Sequence, residues 1–93
     1  MEKINKSLNS LATPARDVFL NAWRDDERMS ASLFYNAPER WVGLAGGSSS
    51  IRSASIHVDD KGAMLLLGSS SFDMTIESAK RLSEAFDIEI EPR

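Results

Sequence analysis

An alternating run and an unbroken apolar run on either side of a four-residue turn constrain this chain more than anything else in it. From Ile51 to Val58, Arg52, Ala54, Ile56 and Val58 fall on one face, and Ile51, Ser53, Ser55 and His57 on the other. Alternation with one wet face marks a half-buried antiparallel strand. Asp59-Asp60-Lys61-Gly62 reads as a tight turn, with Gly62 free to take positive φ, and Ala63-Met64-Leu65-Leu66-Leu67 completes the hairpin. A second hairpin precedes it. Ser32-Leu33-Phe34-Tyr35 reads as strand, Asn36-Ala37-Pro38-Glu39 as a turn, and Arg40 to Ala45 as the returning strand.

Helices are predicted at both ends of this meander. Ile4, Leu8, Leu11, Ala15, Val18 and Ala22 succeed one another at helical spacing, and Phe19 and Trp23 widen the stripe. Thr13-Pro14 reads as an N-cap followed by proline at the first helical position. The expectation is a helix from Pro14 to about Asp26, preceded over residues 1–12 by a frayed or short helical segment. Toward the other end, Thr75 caps a helix with Ile76, Ala79, Leu82 and Phe86 as its apolar stripe. Residues 88–93 read as an edge strand or tail, because Ile88 to Pro92 alternates apolar with acidic residues before the proline. The expected fold class is therefore α+β: an N-terminal helix, a three- to four-stranded antiparallel meander, and a C-terminal helix packed on one face.

With 93 residues, the chain supports one modest core, so residues 1–93 are expected to form a single domain. Acids outnumber bases 14 to 11. That balance disfavours nucleic acid, whose binding leans on Lys and Arg neutralising phosphates. Cysteine is absent, which removes disulfides and thiolate chemistry. The longest apolar run, Ala63 to Leu67, is far short of a membrane span, and the N-terminus has no signal-like core. A cytoplasmic location without membrane contact is the expectation.

Catalytic signals are weak. His57 is the lone histidine, and no serine sits in a nucleophile-elbow pattern. His57-Val58-Asp59-Asp60 offers the best metal-ligand combination, but alternation and the turn splay its side chains. The carboxylates of Asp25-Asp26-Glu27 and of Glu89 and Glu91 fall in solvated runs. The expectation is a protein without catalysis, metal or cofactor.

Binding signals are better. Trp23, Phe34, Tyr35 and Trp41 fall within nineteen residues, interleaved with Arg24, Arg28 and Arg40. Trp, Tyr and Arg are enriched in interface hot spots. Alternation puts Phe34 opposite Leu33 and Tyr35, and Trp41 opposite Val42, so both sheet faces carry large apolar groups. Some of them fill the core. The candidate partner-binding set is Trp23, Arg28, Phe34, Tyr35, Arg40 and Trp41, facing a protein partner. A second copy of the chain is also considered, since dimerisation enlarges a small core. An alternative is small-ligand or nucleotide binding. Gly47-Ser48-Ser49-Ser50 and Gly68-Ser69-Ser70-Ser71 repeat at an offset of 21 residues, and two such loops side by side could cradle an anion. Short, acidic, cysteine-free chains of this general type resemble accessory proteins of phages and mobile elements, including inhibitors and regulators of host systems. That likeness rests on general type, not on matched residues.

Overall fold

The computed structural model describes residues 3–92 and shows a mainly β protein, 61% strand and 16% helical, with two four-stranded sheets. The first sheet is an antiparallel meander of β1 (Asn5–Ala12), β2 (Val18–Asp25), β3 (Arg28–Ala37) and β4 (Arg40–Ser50). A single 3-10 turn, Ile51–Ser53, leads into the second sheet. That sheet holds β5 (Ala54–Val58), β6 (Ala63–Leu67) and β7 (Ser70–Met74), followed by helix α1 (Ile76–Phe86). The chain then returns to lay β8 (Ile90–Pro92) parallel to β5 at the sheet edge. Met1, Glu2 and Arg93, which belong to the expected N-terminal segment and tail, lie outside the described residues.

The expected N-terminal helix, and with it the balanced α+β class, is overturned: residues 5–25 form a β-hairpin. In β2, Leu20, Ala22 and Arg24 are buried while Phe19, Asn21 and Trp23 lie on the opposite face, an alternation of period two. Val18, Phe19 and Trp23 are residue types that suit a pleated surface better than a helix. In β1, the register shifts between Leu8 and Leu11, and Ser10 takes a φ of 58°. This bulge turns two residues three apart toward the same core. Thr13 does not cap a helix. Its hydroxyl accepts from the Ala15 N–H (3.2 Å) and donates to the Val18 carbonyl (2.8 Å), closing the loop between β1 and β2.

The other turns follow from short acidic side chains. Asp25 Oδ1 accepts from the N–H groups of Glu27 (2.8 Å) and Arg28 (2.7 Å), so the charged break joins β2 to β3. Asp59 Oδ1 accepts from Lys61 (2.8 Å) and Gly62 (3.0 Å) at the β5–β6 turn. Gly62 keeps a negative φ there, contrary to expectation; the glycine at positive φ is Gly68 (62°), between β6 and β7.

One core joins both sheets and the helix. Leu11, Leu20 and Met29 from the first sheet meet Ile56, Leu65, Leu67 and Met74 from the second, and Leu82 and Phe86 from α1. The two sheets come close where β4 crosses β7. A Cβ on Gly47 would lie 2.7 Å from Ser70 Oγ and 2.8 Å from Ser70 Cβ, so only glycine fits this crossing.

On the β1 side, α1 fills the space between the sheets and is tied to the first sheet at both ends. The N-cap Thr75 accepts from the Ser78 N–H (3.1 Å), its own N–H donates to Ala12 O (3.2 Å), and buried Ser78 Oγ donates to the same carbonyl (2.9 Å). At the far end, buried Arg24 donates from Nη1 to Phe86 O, where a cation complements the helix dipole. No helix among the described residues is long and apolar enough to cross a membrane.

Candidate interaction face

The face of the first sheet turned away from α1 and the second sheet carries side chains in ladder rows that the register defines. Phe19, Phe34 and Gly43 form one row; Asn21, Ser32 and Gly46 the next; Trp23, Ser30 and Ser48 a third. Beyond the first row, Trp41 lies opposite Asn36. The face is therefore aromatic at intervals and otherwise built of Asn, Ser and Gly.

Its aromatics are arranged, not scattered. Phe34 is only 5% exposed, although it sits on the uncovered face, because two rings close over it. Phe19 lies on one side (centroids 5.9 Å apart, tilted 30°), and Trp41 stacks on the other (4.3 Å, 19°). Trp41 thereby gives one indole face to Phe34 and remains 60% exposed. Four residues along β2 from Phe19, about 13 Å at strand rise, Trp23 is 41% exposed and its Nε1–H donates to Asn5 Oδ1 (3.2 Å). Arg28 extends across the adjoining row and donates from Nη2 to Ser48 Oγ (3.3 Å).

Of the partner-binding set expected from the sequence, the fold brings Trp23, Arg28, Phe34 and Trp41 to this face. Tyr35 and Arg40 fall on the other side of the strands. Tyr35 pairs with Val42 and Val18, and Arg40 with Ala37, at the end of the β3–β4 hairpin that projects past the core. Phe19 was not in the expected set, because the apparent helical stripe absorbed it. Reading β2 as a strand would have placed it beside Trp23.

The two Gly-Ser-Ser-Ser stretches do approach one another, but as packed structure. Gly47 to Ser50 belong to β4, while Gly68 and Ser69 form the β6–β7 turn and Ser70 and Ser71 begin β7. Gly47 meets Ser70, and a Cβ on Gly68 would lie 3.7 Å from Ser49 Cβ. Ser48 accepts from Arg28, Ser49 donates to the Ser50 carbonyl (2.9 Å), and Ser50 accepts from the Arg52 N–H (3.3 Å). An edge strand sends its N–H groups alternately into the ladder and sideways, which differs from a concave anion nest.

His57 lies on the opposite surface of the second sheet. Its Nε2 is 3.0 Å from Ser55 Oγ and 3.3 Å from Glu91 Oε2. A serine–histidine–acid relay uses the two ring nitrogens separately, one accepting from the nucleophile and the other donating to the acid. Here both partners address one nitrogen, so the trio ties β8 to β5 and is not arranged as a relay. Among the described residues, no group of three His, Cys, Asp or Glu side chains converges as metal ligands would. A shallow apolar cleft of about 250 Å³, floored by Val18, Leu33 and Phe72, opens beside β7. It is smaller than the sites that enclose drug-sized ligands.

Compared with protein-family models, curated proteins and solved structures, the chain matches none.

Proposed function

We propose that this protein acts by contact, docking a partner protein on the outer face of its first sheet, as a regulator or inhibitor would, and that it makes and breaks no bonds. One observation carries this reading: Trp41 is held flat against Phe34 while most of its surface stays in water. A stacked indole gives up little side-chain freedom on binding, so its apolar area goes largely into affinity. Trp23, anchored by Asn5, supplies a second such group, and Arg28 a donor beside it at Ser48. Asn21, Ser30 and Ser32 surround these anchors with small polar groups that adapt to a partner.

A protein partner fits better than nucleic acid. Arg28 is the one cation in the ladder rows of this face among the described residues, and the chain carries a net charge of −3. Polyanion binding depends on several such contacts.

The test is affinity capture from the source cells with the wild-type chain and with Trp23→Ser and Trp41→Ser variants whose melting curves show a folded state. A partner held by the wild type and released by both variants supports the proposal. A partner retained by both, yet lost on replacing Met64 or Leu66 of the second sheet, overturns it.

A further inference from the structure

Two open sheets leave four edge strands, β1, β4, β7 and β8. Natural edges that stay single are short, bulged, charged or stopped by proline, because their unpaired N–H and C=O groups otherwise recruit another strand. Three of these edges follow that rule. β8 has three residues and includes Glu91 and Pro92. β7 has five and carries an exposed Asp73. β1 carries Lys6 and is interrupted by the bulge at Ser10.

β4 does not follow it. It is the longest strand, with 11 residues, and from Trp41 to Ser50 it contains no charged residue and no proline. Its register shift lies at Leu44, in the first half, and leaves Ala45 to Ser50 in regular pairing with β3. The same strand bears two exposed apolar side chains, Trp41 at 60% and Leu44 at 50%. Unpaired backbone and unburied apolar surface thus coincide on one edge.

We propose that β4 pairs antiparallel with β4 of a second copy of this chain, about a two-fold axis passing through Gly46–Ser48. The two first sheets then become one continuous sheet. A second copy fits for two reasons. The edge is neutral over ten residues, so self-pairing sets no like charges opposite one another. The strand is also asymmetric in bulk: Trp41, Val42 and Leu44 occupy its first half and Gly46, Gly47 and three serines its second. About this axis Leu44 and Ala45 lie opposite the partner's Ser50 and the partner's Ser49, bulkier side chains against small ones, which is the isologous arrangement a closed dimer needs. The area fits a reversible dimer. Seven paired residues on each strand, Leu44 to Ser50, with their side chains bury on the order of 1,000 Å² in total, near the lower bound of specific interfaces. This inference stands apart from docking on the outer face, since it uses the strand edge.

The absence of cysteine makes the test direct. Sedimentation velocity of the full chain, from low-micromolar to sub-millimolar concentration, is expected to show the 10.3 kDa mass doubling. Ala45→Lys, which places a charge on the edge without removing a hydrogen bond, is expected to hold the chain monomeric with an unchanged melting curve. Ser48→Cys, close to the axis, is expected to cross-link to its own mate on mild oxidation. Asn9→Cys on the β1 edge serves as the control and is expected to cross-link at least ten-fold more slowly. A chain that stays monomeric throughout overturns the proposal. So does a dimer that survives Ala45→Lys, or one in which Ser48→Cys cross-links no faster than the control. Should Ala45→Lys fail to fold, the cysteine pair decides alone.

Discussion

Replacing Trp41 by alanine separates a ring that presents itself to a partner from one that holds the fold. Trp41 is 60% exposed, so about 40% of its surface, roughly 90 Å² for a tryptophan side chain, is withdrawn from water. At about 25 cal/mol per Å², that area is worth about 2 kcal/mol, an upper bound because the unfolded chain already hides part of it. The stack on Phe34 adds about 0.5–1.5 kcal/mol. Relaxation of Phe34 and Phe19 toward the vacated space returns a share. The expected loss is about 1–3 kcal/mol, against about 3–5 kcal/mol for a fully buried tryptophan. In a domain of this size each kcal/mol lowers Tm by about 4–8 °C. Circular dichroism with urea titration reads the stability, and partner capture reads the function. Trp41→Ala should keep its β spectrum and a cooperative transition while losing the partner. Trp41→Phe, which keeps a stacked ring, should recover most of the stability. An unfolded Trp41→Ala at room temperature would refute the reasoning, because Trp41 would then be core.

Three further outcomes are expected. Gly47→Ala drives a methyl group into Ser70 and should destabilise the fold by about 1–3 kcal/mol; Ser70→Gly in the same chain removes the atoms at 2.7 and 2.8 Å and should restore most of that loss in urea titration. Arg24→Met keeps much of the buried stem but strips the carbonyl of Phe86 of its charged donor, and should cost about 1.5–3 kcal/mol; hydrogen exchange should accelerate first in the last turn of α1. The N–H groups of Arg28 and Glu27 hold the Asp25 carboxyl below its ordinary range. A depressed carboxylate contributes stability above its unfolded pKa and loses it as pH falls through the folded value. Asp25→Asn should therefore flatten the acid limb of the stability–pH curve below about pH 4 and change its slope little near neutrality.

The hairpins at Asp59 and at Asn36–Glu39 were legible because alternation and turn chemistry agree there, and α1 was legible from its Thr75 cap and apolar stripe. The β1–β2 hairpin was not, for three identifiable reasons. The bulge at Ser10 sets Leu8 and Leu11 on one face at a spacing that a helix shares. Ala15, a loop residue, extended the stripe by coincidence. Arg24 occupies an inward position of β2, so the alternation Leu20, Ala22, Arg24 does not look apolar until its role at the end of α1 is known. The candidate site was half legible. Aromatic clustering is a property of composition, but its division into two faces depends on the register between β2, β3 and β4. The unprotected edge of β4 could be read from its lack of charge only once β4 was known to be an edge.

Because α1 is fastened to Ala12 through Thr75 and Ser78 and to Arg24 through Phe86, the β1–β4 meander awaits a lid that lies C-terminal to it in the chain. Until residue 86 leaves the ribosome, Leu11, Leu20 and Met29 have no α1 cover. The meander is then expected to complete its folding only once α1 has emerged, and a nascent chain stalled before α1 should be a favoured client of chaperones and proteases.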